Sequence, residues 1–216
     1  MRNEGAAGLA TLLALADSRL PVGGHVHSGG VEEAIAAGLL RDNATVELYL
    51  RRRIATSGLV AASLAAAVCA GSLTPERAEL EADARTPSPA ARTASRAQGR
   101  GVLRLAKQLW PQHEWTPAGV RPHLSTVFGM VGAAAGTEPE QLAGVVVYTT
   151  LTGAATAAQR LLALDPAAIA AGTMRLAPLC DRIAAEAVTG LAALSDPLQD
   201  ALAERHLHRD MPLFAS

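Results

Sequence analysis

The sequence predicts an all-α fold, a single-domain helical bundle of roughly 8–10 helices over residues 1–216. Three observations carry that prediction. Alanine makes up about a fifth of the chain, and it is the residue that loses least on entering a helix. Capping residues stand directly before proline at Thr74-Pro75, Ser88-Pro89, Asp165-Pro166 and Asp196-Pro197, the favoured arrangement at a helix start. The one β-branched run, VVVYTT at 145–150, has strand propensity but nothing nearby to pair with, so it reads as buried helix.

The elements follow in order. Residues 9–16 form a short apolar helix, and 17–30 (DSRLPVGGHVHSGG) form a loop rich in glycine and without periodicity. Ser28 is placed to cap the next helix, with Glu32 and Glu33 in its first turns and Gly38 at its end. A long helix spans about 45–70 and closes at Gly71. Thr74-Pro75 opens another, and Ser88-Pro89 opens one that reaches Trp110. Residues 111–122 are looser; helices at 123–135 and from Glu138-Pro139 to about 163 follow, the first stopped by Gly136. Asp165-Pro166 and Asp196-Pro197 start the last two. Residues 1–8 and 209–216 are expected as flexible tails, and no composition break marks a second domain.

Composition removes several classes of function. There are two each of Trp, Tyr and Phe, too few for aromatic base-stacking or cation cages. The net charge of −1 gives no basic surplus, so neither nucleic acid nor an anionic membrane is an expected partner. Residues 58–75 and 142–159 lack charge, but their Ala, Ser, Thr and Gly content fits helices packed inside a bundle. Glu4 interrupts any signal-peptide n-region. Cys69 and Cys180 form no CxxC and read as free thiols of a reducing cytoplasm.

The candidate chemistry is thin. His25 and His27, two apart in a loop, can face one metal, but a site needs a third ligand. His206 is the candidate; on a helix, His206 and His208 diverge by about 200° and cannot both reach one ion. Asp17, His25, His27 and Ser28 hint at a hydrolase, yet HSGG lacks the leading glycine of a nucleophile elbow, and no phosphate-loop pattern occurs. No catalytic residue and no cofactor is therefore assigned, and the metal candidates stay weak. Arg92, Arg96, Arg100 and Arg104, extended by Lys107, make a stripe suited to an acidic partner or to the upstream Glu76, Glu79, Glu81 and Asp83. Arg51, Arg52 and Arg53 point in different directions on a helix. Leu213 and Phe214 in the short tail imply docking on the body or on a partner.

Residues 17–40 (DSRLPVGGHVHSGGVEEAIAAGLL) resemble the N-terminal signature of the UreF urease accessory proteins. QGRGVLRLAKQLW (98–110), TGAATAAQRLLALDP (152–166) and AERHLHRDMPLFAS (203–216) resemble later segments of that family in the same order. The resemblance implies an all-α, non-enzymatic cytoplasmic protein that binds UreD (also called UreH) and the GTPase UreG. It further implies docking on apo-urease, assistance to nickel insertion and homodimerisation. Carried over position by position, it implies partner-binding roles for Pro21, Gly23, Ser28, Gly29, Glu32, Arg160, Arg205, His206, Leu213 and Phe214. Gly24-His25, the LALD at 162–165 and Leu207 depart from the family pattern. Two rivals stand beside it, a nickel chaperone using His25, His27 and His206, and a serine hydrolase using Ser28.

Overall fold

The computed structural model describes residues 7–18, 20, 27–194 and 196–214. The elements these residues form are helical, as the composition predicts. In chain order they are α1 (Leu9–Leu15), α2 (Val31–Ala36), α3 (Asn43–Arg53), a π turn (Ile54–Gly58) and α4 (Leu59–Cys69). There follow α5 (Pro75–Arg85), α6 (Pro89–Leu109), a 3₁₀ turn (Thr116–Ala118), α7 (Leu124–Ala135), α8 (Pro139–Leu161), α9 (Pro166–Ala187) and α10 (Pro197–His206).

The four cap-plus-proline starts form as the sequence predicts. Thr74 accepts from the Arg77 amide, Ser88 from Ala91, Asp165 from Ala167 and Asp196 from Gln199. Each side chain satisfies an amide that the first helical turn leaves without a partner. VVVYTT lies inside α8, with Val145, Val146 and Val147 buried.

Helix α4 is the axis of the bundle, packed against α7, α8 and α9, while α9 also lies along α8. Ala62, Ala65 and Ala66 on α4 are essentially without solvent contact. Small residues let the helices approach closely. A Cβ on Gly129 of α7 would stand 2.5 Å from Val68 Cβ and 2.7 Å from the Ala65 carbonyl oxygen of α4. The uncharged segments are thus accommodated inside protein. By length and composition the Asn43–Cys69 rod could cross a membrane, but 56% of its most apolar window is buried within the bundle.

Two expectations change. The helix over 45–70 is a rod from Asn43 to Cys69 interrupted by the π turn. There the Thr56 hydroxyl donates to the Arg52 carbonyl and Ser57 to the Arg53 carbonyl, hydroxyl back-bonding that competes with the helical ladder. The second change concerns residues 209–214. They fold back onto α2 instead of trailing from the body: Arg209 bonds Glu33, and the Leu213 and Phe214 amides bond Glu32.

Candidate functional site

The site grows from two glycines. Gly29 and Gly30 take φ of 63° and 86°, backbone that L side chains adopt only at a cost. Gly30 is the N-cap of α2 and offers no side chain. Ser28 therefore sits two residues too early for the cap expected of it. Its buried hydroxyl instead accepts from the Glu32 amide at 3.4 Å, in the first turn of the helix.

The Gly29 carbonyl is the fixed point of the loop. It accepts from Arg53 Nη1 at 2.5 Å and from Gln199 Nε2 at 2.8 Å. The Tyr49 hydroxyl lies 3.0 Å from the same oxygen and 2.9 Å from Gln199 Oε1, two acceptors for its single proton. Helix α3 thus supplies Tyr49 and Arg53, and α10 supplies Gln199. Asp196 locks α10 to the rod by accepting from Arg52, from Thr56 and from the Gln199 amide. Burial pushes the Tyr49 phenol up, with Arg53 opposing.

Helix α2 then presents two buried carboxylates to the tail. Glu32, 3% exposed, accepts from the Leu213 amide at 2.9 Å and the Phe214 amide at 3.1 Å. Arg209 neutralises the pair, with Nε 3.2 Å from Glu32 and Nη1 2.9 Å from Glu33. These two carboxylates hold the Arg209 guanidinium above its ordinary pKa, Glu33 contributing most. His206 closes the end of α10: its Nε2 lies 3.1 Å from the Phe214 carbonyl. A carbonyl only accepts, so Nε2 carries the proton of that bond. His206 Nδ1 is buried without a hydrogen-bond partner, 3.8 Å from Glu33 and 3.9 Å from Glu32. Arg160, at the end of α8, stands 5.7 Å above the Phe214 ring.

The expected partner-binding residues therefore separate into two groups. Ser28, Glu32, His206 and Phe214 are buried and hold one another in place. Arg160 is exposed, Arg205 keeps 64% of its side chain in solvent and Leu213 is 78% exposed. Leu207 and Met211 stand beside them in sequence at 62% and 90% exposure, so a buried clasp carries an apolar exterior. Pro21, Gly23 and His25 lie outside the described residues. Tyr49, Arg53, Gln199, Glu33 and Arg209 were not foreseen as parts of the site. Tyr49 had a signal in principle, being one of two tyrosines in an aromatic-poor chain; Gln199 had none.

His27 and His206 are close enough to sense one another's charge. Burial lowers the His27 pKa, and His206 lowers it further. Among the described residues no group of three or more His, Cys, Asp or Glu is arranged to hold a metal. The Ser28 hydroxyl meets a backbone amide, that of Glu32.

The arginine stripe also divides. Arg96 bonds Glu79, Asp83 and the Arg121 carbonyl, and Arg92 bonds the Thr86 and Pro87 carbonyls. Arg100, Arg104 and Lys107 remain exposed. Behind Arg96, the buried His123 ring spans Ser95 at 3.0 Å and Asp83 at 2.9 Å. Burial holds the His123 pKa below its ordinary value, against the opposing hydrogen bond that Asp83 accepts from the ring. A cavity of about 800 Å³ lies between these networks, with His27, Arg160 and Phe214 along its wall, and Ser95 and His123 as well.

Comparison with known proteins gives one consistent result. Residues 40–177 match the family model described as UreF. The chain is 65% identical over 208 residues to a urease accessory protein UreF of Mycobacterium sp. (strain JLS), covering 96% of this chain and 99% of the relative. It is 63% identical over 211 residues to the protein of that name in Mycolicibacterium vanbaalenii, with the same coverage. The counterpart of Mycobacterium tuberculosis (strain ATCC 25177 / H37Ra) is 59% identical over 208 residues, again covering 96% of this chain and 99% of the relative.

Proposed function

The chain belongs to the UreF family of urease accessory proteins, and from that premise we propose that it is a scaffold that binds UreD (UreH) and the GTPase UreG and assists nickel insertion into apo-urease. It is an accessory protein and not itself an enzyme. In this reading it works in the cytoplasm, as a homodimer within the complex, and needs no cofactor of its own.

The observation that carries the reading is the clasp. Glu32, His206 and Arg209 fix the tail on α2, and the fixed tail holds Leu213 and Met211 out in solvent. Apolar side chains held outward on a rigid support are what a partner surface requires, since little ordering entropy is lost when they bind. Arg205 and Arg160 add exposed charge beside them. UreD is assigned to this surface, and UreG to the composite surface that results. To couple the GTP state to nickel release, the assembly must bind the two states of UreG with different affinity.

Co-purification with UreD and UreG, using the full chain and a chain ending at Arg205, tests the proposal. Recovery of UreD by the full chain alone supports it. Equal recovery by both overturns the role of the tail, and recovery by neither overturns the scaffold reading. A second reading is direct nickel holding through His25, His27 and His206. Calorimetry with Ni²⁺ decides it. Stoichiometric binding abolished by His25→Ala and His27→Ala establishes that reading, and absence of heat removes it.

A further inference from the structure

Phe214 belongs to two structures at once. Its main chain is part of the clasp, bonded to Glu32 through the amide and to His206 through the carbonyl. Its ring is 8% exposed and forms part of the wall of the 800 Å³ cavity, beside Arg160. The neighbouring Leu213 is 78% exposed, so the tail lies on the surface and only the Phe214 ring reaches inward.

We propose that the C-terminal tail is a strap that closes this end of the cavity, with Phe214 as the plug and Glu32 as the catch. The strap is a local two-state element. Docked, it covers the wall between α8 and α10; released, it uncovers that stretch of wall while the bundle behind it stays folded. The closing contacts are few and concentrated: two amides on the Glu32 carboxylate, Arg209 across Glu32 and Glu33, one imidazole on one carbonyl, and a guanidinium on the ring. Opening therefore requires only the tail to move. The inference goes beyond the scaffold reading and needs no partner. If that reading also holds, a partner that takes up Leu213 and Phe214 opens the cavity by the same act.

The test uses a thiol inside the cavity. Ala157 lies on its wall, one turn before Arg160, and is 2% exposed. In a chain carrying Cys69→Ala and Cys180→Ala, the substitution Ala157→Cys provides a single reporter for a methanethiosulfonate reagent. Ala154→Cys, one turn earlier on the same wall, serves if the first variant does not fold. Ala62→Cys in α4, which is 0% exposed and is not part of the cavity wall, reports opening of the whole bundle. Truncation after Met211 is expected to raise labelling in the cavity about tenfold or more, since charge-assisted bonds of the clasp are each worth roughly that factor. Phe214→Ala, which leaves the main-chain bonds, is expected to raise it by a smaller factor. Labelling of Ala62→Cys should not change. An unchanged cavity rate after truncation, or a parallel rise at Ala62→Cys, overturns the proposal.

Discussion

The Glu32 carboxylate grips the amide of Phe214 from 182 positions away in sequence, at 3.1 Å, and both residues are buried. One side chain of the first well-packed helix thereby fixes the backbone of residues 213 and 214. Glu32→Gln keeps the shape but loses the charge, leaving one acceptor where two amides and Arg209 converge. Loss of charge-assisted bonds at a buried site costs about 1.5–3 kcal/mol. Urea denaturation should report that loss, and hydrogen exchange should show the Leu213 and Phe214 amides unprotected while α4 and α8 stay protected. Retained protection at these two amides would refute the role given to Glu32.

Gly29 and Gly38 separate two costs of adding a Cβ. Both have positive φ, 63° and 72°. A Cβ on Gly38 meets nothing within 4 Å, whereas on Gly29 it falls 2.6 Å from Arg53 Nη2. Gly38→Ala should therefore cost only the backbone term, about 1–2 kcal/mol. Gly29→Ala should cost more, because the guanidinium must also leave the Gly29 carbonyl. Chemical denaturation of the two variants gives the comparison, and equal losses would show that the Arg53 contact is dispensable.

His123 makes stability fall in mild acid. Its pKa is lowered in the fold, chiefly by burial. The unfolded chain therefore takes up the proton first, near pH 6.5, and the stabilisation present above that pH is lost as the pH falls further. His27, lowered for the same reason, adds to the loss with the same sign. Asp83, also lowered, contributes only below the ordinary carboxylate range. His123→Asn should flatten the decline in denaturation midpoint between pH 7 and pH 5 without abolishing it. A wild-type midpoint that rises between pH 7 and pH 5 would contradict the assignment.

Arg96 and Arg100 look equivalent in sequence, one turn apart on α6. Arg96 bonds two carboxylates and a carbonyl across to α5 and the segment before α7, while Arg100 is exposed. Arg96→Ala should cost about 1–3 kcal/mol through the stranded Glu79 and Asp83, and Arg100→Ala should stay within about 0.5 kcal/mol. Thermal unfolding of both variants distinguishes them. A large loss at Arg100 would mean that the stripe works as one unit.

What could be read ahead of the structure was local. Thr74, Ser88, Asp165 and Asp196 each announce a helix to the residue that follows, and each does cap one. The helical state of VVVYTT followed from the absence of a pairing strand. The site was legible only as a set of names supplied by resemblance. Its geometry was not, because Glu32 with Phe214, and Tyr49 with Gln199, are bonded across 182 and 150 positions. Nothing in the spacing of either pair encodes the contact. Ser28 was a plausible cap by type, but the positive φ of Gly30 moved the helix start beyond it. The arginine stripe failed as a single face because Asp83 and Glu79 on α5 claimed its first members.

The π turn at Ile54–Gly58 gives the Asn43–Cys69 rod two phases. An extra residue in one turn rotates everything after it by about 100° relative to an unbroken α-helix. Upstream of it, Tyr49, Arg52 and Arg53 face the glycine loop and α10; downstream, Ala65 and Val68 lie against Gly129 of α7. A regular helix could satisfy one of these faces and would misdirect the other. Removing a single residue between positions 54 and 58 would straighten the rod, and the loop and the core would then compete for its rotation. The irregularity is a phase shift, and it allows one continuous helix to serve both the clasp and the bundle.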